Sequence, residues 1–244
     1  MDTTYRDATA AWYASRMREG GAGEWAFPTL LEMLGQIQDQ HICDLGCGEG
    51  RVARLLAQRG AKVMGIDLSP ELIQVAQAEE GRHPLGIHYC VDDAQVLSTI
   101  PEATFDGVVC VLALMDIPQV DATFRAVWRV LRPGGWFVFL ITHPCFAAPE
   151  AQWRQQPDGS VSWEISSYFA EGFFRSDHRG NLCKRVGAHH RTLSTYLNTL
   201  VAAGFHLTRV VEPQAPASVR ERNPGHGIVP LLLLVQCAKA QAPT

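Results

Sequence analysis

Two rhythms alternate along the 244-residue chain: short unbroken apolar runs, and stretches whose apolar positions recur every three or four residues. The first kind reads as strand and the second as amphipathic helix. On this basis strands are expected over 41–45, 62–66, 87–91, 107–112, 136–142, 206–211 and 229–237. Helices are expected over 5–19, 28–36, 50–59, 69–80, 121–131 and 192–203. Punctuation supports these limits: Gly60 stops the third helix, Ser69 and Pro70 start the fourth, and Gly204 closes the last. Runs such as 107–112 are apolar at every position, as strands buried on both faces of a parallel sheet must be. Between the last two strands lies 213–227, broken by prolines and glycines. Without a crossover helix those strands should be antiparallel neighbours. The expected fold is therefore α/β and Rossmann-like. It has a seven-stranded, mostly parallel sheet with an antiparallel last strand and helices on both faces.

One connection breaks the rhythm. Pro144 to Arg191 is about forty-eight residues by numbering, whereas such links usually take only two to six. The stretch carries Phe146, Trp153, Trp163, Tyr168, Phe169, Phe173 and Phe174, and it follows the carboxyl end of a central strand, where ligands bind in such sheets. It reads as an aromatic-rich substrate cap. The chain is then a single domain over 1–244: N-terminal helices (1–40), a cofactor-binding core (41–142), the cap (144–191), and a C-terminal helix and strand pair (192–244).

The chemistry concentrates at His41-Ile-Cys-Asp-Leu-Gly-Cys-Gly-Glu-Gly50 and Gly65-Ile-Asp67. A glycine turn after a strand lets a ligand approach bare backbone, and an acid ending the next strand can hold a ribose diol. The glycines stand at 46, 48 and 50, whereas a dinucleotide fingerprint places its third where Arg51 stands. Asp44, at the mouth of the strand, would repel a pyrophosphate and attract a cationic amino acid. S-adenosylmethionine, with its ammonium, sulfonium and adenosine, satisfies both details. A nicotinamide dinucleotide oxidoreductase fits them less well, and a non-catalytic nucleoside-binding protein would not need the motifs intact.

From about Ile42 to Leu140 the chain resembles the class I, Rossmann-like S-adenosylmethionine-dependent methyltransferases of small-molecule type. The resemblance rests on Asp44-Leu-Gly-Cys-Gly-Glu-Gly50, Gly65-Ile-Asp67, Val91-Asp-Asp-Ala94, Phe105-Asp-Gly-Val-Val-Cys110 and Leu131-Arg-Pro-Gly-Gly135, in that order. It implies a cofactor site built from Asp44, Gly46, Cys47 and Gly48. Asp67 would hold the ribose and Leu68 would pack on the adenine. Asp93 (or Asp92, one register away) and the Ala94 amide would contact the adenine edge. Backbone groups of Cys110 and Val111 would meet the methionine part. Tyr13, with Arg16 on the same helical face, would close over the methionine carboxylate, or form a plain surface pair.

For catalysis, alignment and exclusion of water matter most, and a base is needed only when the acceptor is protonated. His143, just past the fifth strand, is the candidate base; its other reading is a histidine capping the strand end by hydrogen bonds. Trp153, Tyr168, His190 and Arg191 are candidate acceptor residues, with Thr192 as an N-cap beside solvated neighbours the alternative for the last cluster. The activity expected is methyl transfer to a small organic acceptor, first to the oxygen of a hydroxyl or carboxyl, otherwise to nitrogen or carbon.

Composition trims the remaining options. A net charge of −4 with basic residues scattered singly argues against a nucleic-acid surface. The longest apolar run, 228–235, contains Pro230 and is too short to span a bilayer. Seven cysteines without a Cys-x-x-Cys pair fit a reducing cytoplasm and provide no zinc framework. Asp116 lacks a second oxygen ligand after the fifth strand, so no metal is expected. The expected partners reduce to the acceptor itself, bound by a monomer or homodimer.

Overall fold

The structure is a computed structural model that describes residues 23–175 and 180–241. The helix expected over 5–19, with Tyr13 and Arg16, lies outside the described residues. The core follows the alternation of the sequence: α1 (Phe27–Leu34), β1 (His41–Leu45), α2 (Arg51–Ala57), β2 (Lys62–Asp67), α3 (Pro70–Arg82), β3 (His88–Val91), β4 (Phe105–Val111), α4 (Val120–Val130) and β5 (Leu131–Thr142). The cap supplies two hairpins, β6 (Gln152–Gln155) with β7 (Val161–Glu164) and β8 (Gly172–Phe174) with β9 (Ala188–His190), and the short α5 (Gly180–Val186). Then follow α6 (Leu193–Ala202), β10 (Phe205–Val211), α7 (Ala217–Arg222) and β11 (Leu232–Lys239).

The seven main strands are ordered β10-β11-β5-β4-β1-β2-β3. β11 runs antiparallel to both of its neighbours, β5 and β10, and the other pairs are parallel. Side-chain alternation along each strand sorts the core into two faces. In β5, Phe137, Phe139 and Ile141 pack with Phe124 and Val127 of α4 and with Tyr196 and Leu200 of α6. Val138 and Leu140 point the other way, toward Leu30 of α1, Leu56 of α2 and Ile73 of α3. The rings of Phe124, Phe137, Phe139 and Phe205 lie 5.2–5.9 Å apart by centroid, the spacing of favourable aromatic pairs.

β5 starts five residues earlier than the apolar run suggests. Leu131 pairs with Phe105, the Arg132–Gly135 segment bulges, and pairing resumes at Gly107↔Trp136. Glycine at 107 permits this, because a Cβ there would sit 2.1 Å from the Trp136 ring, whose Nε1 donates to Gln40 Oε1 at 3.0 Å. The breaker-rich 213–227 segment contains the six-residue α7, which turns the chain between antiparallel strands rather than crossing the sheet.

This topology positions the site. The β1–β4 ladder ends at Asp44↔Val109, whereas β4 runs on to Val111. Past that register the two strands diverge and open a crevice at the carboxyl edge of the sheet, where the strand order reverses.

Candidate active site

After Leu45 the chain must turn into α2 within a few residues. Gly46 and Gly50 take φ of 70° and 86°; a Cβ at the first would lie 2.5 Å from Ala113 Cβ, and at the second 2.3 Å from Tyr89 Oη. Neither position accepts a side chain, so the turn stays bare backbone. The amides of Gly46 and Cys47 both donate to Ile66 O, at 2.7 and 3.0 Å, which pins the turn to β2. Buried Cys43, Cys47 and Cys110 surround it; burial pushes their thiols above the usual range, so they serve as small neutral apolar groups.

Asp67 joins the two motifs. Its Oδ2 accepts the Gly48 amide at 2.8 Å and its Oδ1 the Ser69 amide at 2.9 Å. Burial raises its pKa, and the amides partly offset this. A carboxylate oxygen can accept more than one bond, so both retain capacity for a diol. Beside it Leu68 is 52% exposed, which removes a core role and leaves an apolar platform at the crevice rim.

Asp44 is 1% exposed, and its Oδ2 makes no hydrogen bond among the described residues. Burial pushes its pKa up to about 7; a hydrogen bond from the Ala53 backbone opposes the rise, and the charges of Asp67 and Glu49 add to it. An orphaned buried acceptor is costly, on the order of 1–3 kcal/mol, and calls for a cationic partner.

At the end of β3 the adjacent acids separate. Asp92 is buried and takes bonds from Ser98 Oγ and from the amide and hydroxyl of Thr99, so it holds the turn together. Asp93 is only half-buried and binds the Gln95 amide, while the Ala94 N–H makes no hydrogen bond among the described residues. Across the crevice Cys110 and Val111 lie beyond the β1–β4 ladder, and Leu112 has φ 55°. Left-handed leucine costs about 1–3 kcal/mol and is typical of functional edges.

The structure gives His143 a different task from that of a base. The ring is 3% exposed; its Nδ1 accepts the Cys145 amide at 3.2 Å, so the proton sits on Nε2 and is donated to Glu212 Oε1 at 2.9 Å. Burial lowers its pKa against the opposing pull of Glu212. With both nitrogens engaged, no lone pair is left for an acceptor.

Nor do the four cap residues converge on one pocket. Trp153 pairs with Trp163 across the β6–β7 hairpin, and both rings press on Gly225. Tyr168 Oη accepts the Leu193 amide at 2.9 Å, and its carbonyl accepts from His190 Nε2 at 2.7 Å. Arg191, expected to steer substrate, is buried, and its guanidinium donates to the carbonyls of Leu114, Ile117 and Pro118 at 3.2, 2.5 and 2.8 Å. Thr192 is the N-cap of α6, accepting the Thr195 amide at 3.2 Å, but its neighbours are buried rather than solvated. Glu171 completes that cap by accepting from the Thr192 amide and hydroxyl, both at 2.7 Å. These bonds clamp the cap to α6 and to the segment after β4. The aromatic rings left over, such as Phe169 at 88% exposure, face outward.

Comparison with known proteins bears directly on this arrangement. The family described as "Methyltransferase domain" matches residues 43–139, from the glycine turn into β5. A crystal structure of an S-adenosylmethionine dependent methyltransferase from Mesorhizobium loti is 34% identical, covers 89% of this chain and 99% of its own, and superposes with a TM-score of 0.78. The chain belongs to the S-adenosylmethionine-dependent methyltransferases. A ubiquinone biosynthesis O-methyltransferase from Bordetella avium is 30% identical over 148 residues, 58% of this methyltransferase and 60% of that relative. One from Alkalilimnicola ehrlichii is 32% identical over 142 residues, 55% and 58% of the respective chains. The methyltransferase thus spans less than two thirds of these relatives.

The residues present fit the cofactor. The unbonded Oδ2 of Asp44 would suit its ammonium, Asp67 its ribose, and Leu68 and Asp93 its adenine, and the bare turn leaves room for close approach. Among the described residues of the methyltransferase, no helix is long and apolar enough to cross a membrane. The acid that sequence reasoning missed is Glu212. Its one signal was position, directly after β10 and before Pro213.

Proposed function

We propose that this enzyme transfers the methyl group of S-adenosylmethionine to a small organic acceptor, with hydroxyl or carboxyl oxygen as the receiving atom. The observation that carries the cofactor half is the buried, unbonded Oδ2 of Asp44 beside a second acid, Asp67, which is bonded to the glycine turn that follows Asp44. The acceptor half is supported by the cap clamped over the carboxyl edge of the sheet, by the net negative charge, and by the O-methyltransferase names of the relatives. The cofactor supplies a methyl group on a sulfonium, which needs no activation. Asp44 holds the ammonium, Asp67 accepts both ribose hydroxyls, Asp93 and the Ala94 amide read the adenine edge, and Leu68 covers its face. Cys110 and Val111 offer backbone groups to the methionine part. In this reading the enzyme works as a monomer or homodimer in the cytoplasm.

The test exploits Asp44. With a pKa of about 7 in the free protein, it is largely protonated at pH 5.5. A bound ammonium favours the carboxylate and lowers that pKa, so the complex holds fewer protons than the free protein in the acid range. Binding then releases a proton, and affinity must rise with pH up to about 7 before levelling off. Calorimetry with S-adenosylhomocysteine should show on the order of tenfold tighter binding at pH 7 than at pH 5.5. Asp44→Asn should flatten that rise. Failure to bind the nucleoside at either pH refutes the proposal, and a flat profile in the unmutated enzyme refutes the role of Asp44.

A further inference from the structure

Asp93, the acid at the adenine edge, is held from every side but one. Its amide donates to Asp92 Oδ1 at 2.7 Å, and its carbonyl accepts from the Val96 and Leu97 amides at 2.9 and 2.8 Å. With the backbone fixed, only the side-chain torsions remain, and Gln95 takes these as well. The Gln95 backbone amide donates to Asp93 Oδ1 at 2.9 Å, and its Nε2 bridges both oxygens, Oδ1 at 3.0 Å and Oδ2 at 3.1 Å. A carboxylate offers about four acceptor sites. Gln95 fills two on Oδ1 and one on Oδ2, so a single site stays open, on Oδ2.

The orientation of the Gln95 side chain is itself determined. Its Oε1 accepts the Gln119 backbone amide at 3.0 Å, and a backbone N–H can only donate. The oxygen must therefore face Gln119 and the NH2 group must face Asp93. Gln119 is the N-cap of α4, and its carbonyl accepts the Thr123 amide at 3.1 Å. The two carbonyls just before it, those of Ile117 and Pro118, are the ones Arg191 holds at 2.5 and 2.8 Å. Gln95 is thus braced against a segment that the cap clamps from its other side.

Such a brace matters for reading a base. A 6-aminopurine offers an N–H to the open site on Asp93 and a bare ring nitrogen to the Ala94 amide, which is unbonded among the described residues. A 6-oxopurine reverses both, with an oxygen opposite the carboxylate and a ring N–H opposite the amide. A site built to pair a particular donor rejects the analogue lacking it, because its own polar groups are left unpaired. A carboxylate free to turn would swing away from the oxygen and lose that discrimination.

We propose that Gln95 is a positioning residue for cofactor recognition. It holds Asp93 with one open acceptor for the adenine amine, and so makes the site select a 6-amino over a 6-oxo purine. This rests on the methyl-transfer reading above, and Gln95 acts through Asp93 rather than on the base.

The probes are S-adenosylhomocysteine and its 6-oxo counterpart, S-inosylhomocysteine, each titrated by calorimetry into the full chain. The unmutated enzyme should bind the adenosyl compound at least about tenfold more tightly, the worth of a hydrogen bond to a charged acceptor. Gln95→Met keeps the length of the side chain and removes its donors. It should cost the adenosyl compound roughly fivefold or more in affinity and leave the inosyl compound bound as before or more tightly. With Asp93→Ala already in place, adding Gln95→Met should alter the preference by less than about twofold, since the group it positions is gone. An equal loss for both compounds marks a merely structural side chain and overturns the proposal. So do a missing preference in the unmutated enzyme, a preference that survives in Gln95→Met, and a further drop in the Asp93→Ala background. Failure of the unmutated enzyme to bind either compound defeats the underlying methyl-transfer reading instead.

Discussion

Asp67→Ala should weaken S-adenosylhomocysteine binding by at least a hundredfold in calorimetry. Two hydrogen bonds from ribose hydroxyls to a charged acceptor are worth about 1.5–3 kcal/mol each. Their joint loss corresponds to roughly two to four powers of ten in affinity. The same substitution also frees the Gly48 and Ser69 amides, which the carboxylate holds at 2.8 and 2.9 Å, so the turn itself loosens. Asp67→Asn separates the two effects. An amide keeps one oxygen for an N–H of the protein but cannot accept on both sides, so it should restore stability more than affinity. Unchanged binding by the alanine variant would remove the ribose role from this residue.

Arg191→Met should lower the melting temperature by roughly 10 °C without changing the oligomeric state. Methionine fills much of the space of the aliphatic stem but strands the carbonyls of Leu114, Ile117 and Pro118, which now receive the guanidinium. A buried acceptor left without its donor costs about 1–3 kcal/mol, so three such carbonyls put the loss at roughly 3–5 kcal/mol or more. For a chain of this length each kcal/mol shifts the midpoint by about 2–4 °C. Thermal denaturation followed by circular dichroism reads the effect. A midpoint within 2 °C of the unmutated enzyme would show that the arginine is dispensable to the fold and return it to the list of substrate-binding candidates.

Where chain punctuation and apolar rhythm agree, the sequence is a reliable guide. β1 runs over the five residues its pattern marks, and Ser69 caps α3 with Pro70 in its first turn. The positions of Asp44, Asp67 and Asp93 at or just past strand ends were legible for the same reason, because strand ends are fixed by local pattern. β5 was misjudged at its start because Pro133-Gly-Gly135 has the composition of a turn, and only pairing with β4 recruits the residues before it. The cap was visible as an interruption but not as two hairpins. Arg191 and His143 each kept two readings in the sequence for a deeper reason. A cation in sequence gives no sign whether a ligand or a carbonyl will take its donors, and here the carbonyls lie 73–77 positions away. The tautomer of His143 depends on Glu212, 69 residues further along.

The order of the strands has a consequence for how this enzyme is made. β11 is the last strand described, yet it lies inside the sheet, between β5 and β10. While the chain is still leaving the ribosome, β5 presents an open edge of Phe137 to Ile141, and β10 has no partner to zip against. Domains begin to organise from their N-terminal side during synthesis, and unpaired edges in such intermediates invite aggregation. Closure of the sheet, and with it the edge that carries Glu212, must wait for Leu232–Lys239 to emerge. A nascent chain stalled before that point needs a chaperone more than a cofactor.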